Sequence, residues 1–186
     1  KADYSAEVST LASAGGDAVA VIGYLDQGGK GIIQGSLDSG AFDTFILSDG
    51  MIGDSLTDAF GKSLNKSFGS LPGSTGKGAG LFAKVAKAAG IDSSGPYTGE
   101  SYDAAALIVL AMQASGSADR GSIAKNVMAV ANGPGKKIYP GQLKKALDLL
   151  AKGKAIDYEG ATAVKFTDVG EHVGNFLEKE IKGGKF

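Results

Sequence analysis

Two rhythms of apolar and polar residues alternate over the first sixty-five positions. Over 5–14, Val8 and Leu11 share a helical face, with Ser5 as candidate cap, Glu7 in the first turn and Gly15-Gly16 as stop. Residues 17–23 (DAVAVIG) are apolar with little alternation, the pattern of a strand buried on both faces of a parallel sheet. Ile32, Ile33 and Leu37 mark a glycine-weakened helix over 28–38. FDTFILSDG (42–50) reads as a second buried strand ending in Ser48-Asp49-Gly50, and Leu56, Ala59, Phe60 and Ser63 mark a third helix over 51–65. The order α-β-α-β-α is that of a doubly wound α/β sheet.

The rhythm then changes. One short strand is expected near 67–71, followed by helices over 78–89, 99–115, 119–131 and 140–152, with Pro140 in the first turn of the last. TAVKF (162–166) and NFLEKEI (175–181) read as two strands joined by a polar turn. The four helices are amphipathic, yet no block of strands accompanies them to cover their apolar faces. The sequence is therefore expected to be a piece of a longer two-lobed protein whose missing part is N-terminal.

Composition narrows the function classes. The 186 residues are 43% hydrophobic and 21% charged, with a net charge of −1 and both signs interspersed, which suits a globular chain and offers no basic field for nucleic acid. The longest apolar stretch, 104–112, falls well short of the ~20 residues of a membrane-spanning helix, so no direct membrane insertion is expected. With no cysteine and one histidine, disulfides, thiol catalysis, zinc-thiolate sites and His-based triads are excluded or improbable, and no metal or cofactor is expected. Two glycine clusters approximate a phosphate-binding loop and fail it. Gly29-Lys30 requires glycine at position 24 and Ser or Thr at 31, where the chain has Tyr24 and Gly31. Gly76-Lys77 requires glycine at 71 and Ser or Thr at 78, where it has Leu71 and Gly78. No G-x-S-x-G supports a hydrolase, and an enzyme is not expected.

Four segments carry a resemblance: ADYSAEVSTLASAGGDAVAVIGY, FILSDGM, GPYTGESYDAAALIVLAMQASGS and IDYEGATAVKFTDVGEHVG. In that order and spacing they resemble the second half of type I periplasmic solute-binding proteins, above all the leucine/isoleucine/valine-binding proteins of bacterial ABC importers. The resemblance implies an α/β fold, a three-layer α-β-α lobe of a two-lobed protein. Residues 1–71 would belong to the C-terminal lobe, 72–161 would be helices of the N-terminal lobe, and 162–186 would return to the C-terminal lobe as a β hairpin. Two crossings are implied near Leu71-Pro72 and Gly160-Ala161. It further implies a periplasmic protein that closes over a small ligand, an amino acid, and delivers it to the membrane permease of an ABC importer. A ligand-sensing receptor domain or regulator with the same bilobed fold is the alternative. The Ser/Thr loop that usually grips the ligand carboxylate is not in this sequence.

The candidate site residues follow. Tyr24 ends the first predicted strand, where open α/β sheets bind ligands, and offers a flat face and a phenol to an ammonium group. The family commonly has a ligand-touching Tyr at this Gly-Tyr position; a rim tyrosine packing the lobe edge is the other reading. Asp49 ends the second strand, where the family often has an acid, usually Glu, paired with the ligand's α-ammonium; it could instead cap the helix that follows. Tyr97 precedes the helix 99–115, where a family aromatic faces the ligand side chain, or else Pro96-Tyr97 staples that helix. Asp26, Gln27, Ser48 and Met51 flank the strand ends as candidate cleft-lining residues. Tyr102 and Asp103 lie in a YDA stretch that recurs in the family and read as structural, with Tyr102 on the apolar helix face. His172 reads as solvated, Lys136-Lys137 and Lys144-Lys145 as solvated faces with a permease-docking surface as the other reading, and Glu100 and Glu159 as helix-start or hinge-surface charges.

Overall fold

The computed structural model describes residues 3–186. In chain order the elements are α1 (Ser5–Ala14), β1 (Val19–Val21), α2 (Lys30–Ser39), β2 (Phe45–Leu47), α3 (Asp54–Phe60), β3 (Phe68–Pro72), α4 (Lys77–Ala88), α5 (Thr98–Ser115), α6 (Arg120–Asn132), β4 (Lys136–Ile138), α7 (Leu143–Leu150), β5 (Ile156–Tyr158) and β6 (Phe176–Glu180). They form two compact units, one running up to Leu71 and resuming at Phe176–Phe186, the other comprising Pro72–Asn175.

The first unit holds a four-stranded sheet ordered β1-β2-β3-β6. β1 and β2 pair in parallel with Val19 opposite Phe45 and Val21 opposite Leu47, and β2 and β3 pair in parallel with Ile46 opposite Phe68. Hydrogen bonds from Gly73 N to Asn175 O and from Ile181 N to Ser67 O bracket β3 and β6, which therefore run antiparallel. Buried Ser67 ties the sheet together. Its hydroxyl accepts from Phe45 N at 3.1 Å while its carbonyl accepts from Ile181 N at 3.0 Å. Side chains alternate across the pleat, so Val19, Val21, Phe45 and Leu47 enter one core with Ile33, Met51, Leu56 and Leu64. Ala20, Ile46 and Phe68 form a row on the opposite face and are exposed, Ile46 at 43% and Phe68 at 41%. The strand over 17–23 is thus buried on one face only, which corrects the expectation drawn from its unbroken apolar run.

Local sequence accounts for the helix ends. Asp3, rather than Ser5, opens α1: its Oδ1 accepts from Ser5 N at 2.8 Å and from Ser5 Oγ at 2.7 Å. Gly40 ends α2 in the left-handed conformation at φ 67°. The helix expected over 51–65 is divided into a 3₁₀ turn at Asp49–Met51, α3, and a second 3₁₀ turn at Gly61–Leu64.

The second unit contains the helices that lacked strands in the sequence reading. They have two: β4 and β5 pair in parallel, with Ile138 opposite Tyr158, under α5, α6 and α7. Both strands escape the pattern because each is three residues long, and KKI and IDY carry a charge at the exposed or half-buried positions. The core joins Leu107, Leu110, Val130, Ile138, Ile156 and Tyr158. Toward the C-terminus the expected hairpin is not formed. Residues 162–166 contribute a single bridge, Phe166 to His172, and β6 pairs with β3 instead. Residues 162–175 pack with the second unit, so the chain rejoins the first at Phe176.

Candidate ligand-binding site

The first candidate group lies at the carboxyl ends of β1 and β2. Ser48 laces the two ends: its Oγ accepts from Gly23 N at 3.2 Å and donates to Gly23 O at 3.3 Å, while Ser48 N donates to Val21 O at 3.1 Å. Tyr24 follows Gly23 with 61% of its surface exposed. Its ring lies across Gly50, where a β-carbon would stand 2.8 Å from Tyr24 Cδ1 and 3.0 Å from Cε1. The Gly23 carbonyl oxygen would stand nearer still to that β-carbon, so glycine at 50 is required first by the backbone of the neighbouring strand end and then by the ring. Asp49, half-buried, sits between Ser48 and Gly50, and its Oδ1 accepts from Gly50 N at 2.9 Å. It opens the 3₁₀ turn and does not cap α3, whose N-cap position is Gly53. One carboxylate oxygen is thus oriented by the backbone, and the other has no hydrogen-bond partner among the described residues. Tyr24, Ser48, Asp49 and Gly50 are brought together.

The flanking residues divide. Asp26 pairs with Lys30 at 2.9 Å one turn along the helix and its side chain is 84% exposed. Gln27 is exposed in the kinked turn over Leu25–Gly29. Met51 is fully buried in the core, which removes it from the candidate cleft-lining residues. Its apolar chain is the residue that the 3₁₀ turn anchors inward. The glycine cluster after Tyr24 also has an explanation other than a phosphate cradle. Tyr4 lies against Gly28 and Gly31, and the Met51 thioether lies against Gly29, positions where any β-carbon would collide. Only Gly28, at φ 110°, also requires glycine for its backbone.

Tyr97 belongs to the second unit. It holds the N-cap position of α5 in the left-handed conformation, φ 61°, which is rare for a bulky residue and costs local strain. Thr98 supports the turn by donating its hydroxyl to Ser93 O and Gly95 O, both at 3.0 Å. The Tyr97 side chain lines an apolar pocket of about 480 Å³ with Phe82, Val85, Ile91, Pro96 and Tyr102. Tyr102 packs on Phe82 with ring centroids 5.2 Å apart, and its hydroxyl accepts from Gly141 N at 3.3 Å, a structural arrangement.

The polar centre of this unit is Asp103, 3% exposed on α5. Its Oδ1 accepts from Tyr158 Oη and Ala161 N, both at 2.8 Å. Its Oδ2 accepts from Thr162 N and Thr162 Oγ1 at 2.8 Å and from Ala161 N at 3.0 Å. Burial first, and then the neighbouring Asp103 charge, push the Tyr158 phenol well above its ordinary range. Asp103 reads as structural in the sequence, which does not name its partners. The available signal was a lone carboxylate on the buried face of a helix, which must find donors. Among the described residues no group of three His, Cys, Asp or Glu side chains is placed to hold a metal ion, and no helix is long and apolar enough to cross a membrane.

No family profile matches the sequence. Over 87 residues, 46% of this chain, it is 37% identical to the chemotactic signal transduction system substrate-binding protein BasB of Halobacterium salinarum, of which the match spans 21%. The leucine-binding protein LivK of Thermotoga maritima superposes on the whole chain with a TM-score of 0.68 at 18% identity. A type 1 periplasmic binding protein of Bordetella pertussis superposes on 95% of it with a TM-score of 0.60 at 17% identity. The chain spans 47% of the first of these structures and 50% of the second, about half their length. It is therefore built on the type I periplasmic-binding-protein fold, and its resemblance is to the solute-binding proteins that use that fold.

Proposed function

We propose that this chain is the ligand-contacting second half of an extracytoplasmic solute-binding protein that captures an amino acid for an ABC importer. The observation that carries this reading is the strand-end group: an exposed Tyr24 ring laid on Gly50 beside an Asp49 carboxylate with one oxygen already oriented. Such a pair suits an α-ammonium, with the carboxylate supplying charge and the aromatic face a cation–π surface. Closure would follow the usual logic of a hinge whose closed state alone is contacted by ligand from both lobes.

A second reading has its own support. The substrate-binding relative from Halobacterium salinarum belongs to a chemotactic signal transduction system, so the same capture step would feed a sensor in place of a permease. Both readings share the site and differ in the membrane partner.

The test is calorimetric titration of the full-length protein with the twenty amino acids and a set of amine-free carboxylates and amides. Asp49→Ala is expected to weaken amino-acid binding about 30-fold or more, since truncating one member of a desolvated charge pair costs about 2 kcal/mol or above. Binding confined to amine-free ligands and indifferent to Asp49→Ala overturns the amino-acid assignment.

A further inference from the structure

Positive charge is densest in one short run near the end of the second unit. Residues 136–154 hold six lysines and one acid, Asp148, a local net of +5 in a chain whose total is −1. The fold gathers these lysines. Lys144, Lys145, Asp148 and Lys152 line one shallow groove along α7. The turn after α7 carries Lys154 into β5, and Lys136 opens the neighbouring strand, its N donating to Ala155 O. Two of the six are neutralised: Lys144 pairs with Asp148 at 2.9 Å, and Lys137 pairs with Glu159, with Asp157 also nearby. Lys136, Lys145, Lys152 and Lys154 are exposed and make no ion pair among the described residues.

We propose that this lysine edge is a weak, reversible docking surface for an anionic lipid bilayer. Its chemistry favours a membrane over other anionic partners. Protein interfaces concentrate Trp, Tyr and Arg and avoid Lys, and the groove offers only Leu149 as an apolar anchor. A nucleic-acid surface calls for a strongly basic domain, whereas this chain has a pI near 5.9. A charged bilayer needs neither an anchor nor a net positive protein. At physiological salt fields decay within ~8 Å, so only the face turned to the lipid is felt. Flexible, fully hydrated ammonium groups suit such a diffuse surface. The edge acts without the ligand site, so its success or failure is separable from that of the amino-acid assignment.

The experiment is co-sedimentation of the full-length protein with phosphatidylcholine vesicles containing about 30% phosphatidylglycerol, against pure phosphatidylcholine. Binding is expected to the anionic vesicles alone, and to fall steeply between about 20 mM and 200 mM salt. The triple variant Lys145→Gln/Lys152→Gln/Lys154→Gln is expected to bind about a hundredfold more weakly, each lysine contributing about fivefold. The same three positions changed to Arg are expected to retain binding, since charge alone is read. A control triple elsewhere, Lys62→Gln/Lys84→Gln/Lys87→Gln, is expected to bind as wild type. Amino-acid titration of each variant reports on the ligand site separately. Equal binding to neutral vesicles, a Gln triple that binds as wild type, or a control triple that loses as much overturns the proposal. So does retention on heparin with no vesicle binding, which would assign the edge to a polyanion.

Discussion

Phe45 and Phe68 sit on neighbouring strands of the first unit, one fully buried and the other 41% exposed, because the pleat sends them to opposite faces of one sheet. Hydrophobic volume under α2 and α3 specifies which face is packed. In the second unit a small parallel pair is fixed by a buried carboxylate, Asp103, which receives five hydrogen bonds from Tyr158 at the end of β5 and from Ala161 and Thr162 just after it. The first unit is thus held by packing on one side and bare on the other, whereas the second is pinned at a point. A packed face tolerates repacking among apolar residues, but a satisfied buried charge tolerates almost no change, because removing it strands every donor at once.

The largest expected effect tests that pin. Asp103→Ala leaves the Tyr158 hydroxyl and the Ala161 and Thr162 donors buried without an acceptor and is expected to cost about 4 kcal/mol or more in urea unfolding. Asp103→Asn keeps the shape but turns an amide N–H₂ toward donors, and is expected to recover less than half of that loss. A loss below about 1 kcal/mol for Asp103→Ala would mean the turn finds other acceptors and the contrast between the units fails. The next effect tests the sheet. Phe45→Ala is expected to cost about 3–5 kcal/mol, while Phe68→Ala costs under about 1 kcal/mol in this chain. Equal costs would show that Phe68 is packed in solution and that its face is covered.

These same residues show how far the sequence could be read. Helices α1, α2 and α4–α6 were legible to within a few residues because apolar spacing and glycine stops agree, and the α/β class followed from their order. The bare face was not legible, since an unbroken apolar run such as AVAVI states that both faces are suited to burial, not that both are covered. β4 and β5 were hidden by their length, three residues being too few to show a period. In the candidate site, Tyr24 and Asp49 were placed by the strand-end rule, and Met51 was misplaced because sequence adjacency does not say which way a 3₁₀ turn points a side chain. Asp103 stood in plain view in SYDAAAL, but its partners lie 55–59 residues away, beyond any local pattern.

A smaller effect separates charge from packing at the pin. Tyr158→Phe removes one of the five bonds to Asp103 while keeping the ring in the core, and is expected to cost about 1 kcal/mol near neutral pH. Its pH dependence carries a definite sign. The phenol's folded value is raised above the ordinary 10.0 by burial and by Asp103, so folding favours the protonated form. That contribution is complete below pH 10 and is lost as pH rises past it, because the unfolded chain releases the proton and the folded chain retains it. Stability should therefore fall above pH 10 by up to about 1.4 kcal/mol per pH unit from this group. Urea midpoints measured from pH 8 to 11 should show that decline in the wild type, over and above whatever the other tyrosines contribute, and a shallower decline in Tyr158→Phe. If the two decline in parallel, Tyr158 ionises freely in the folded protein, and the second unit is held at that point by packing, as the first unit is.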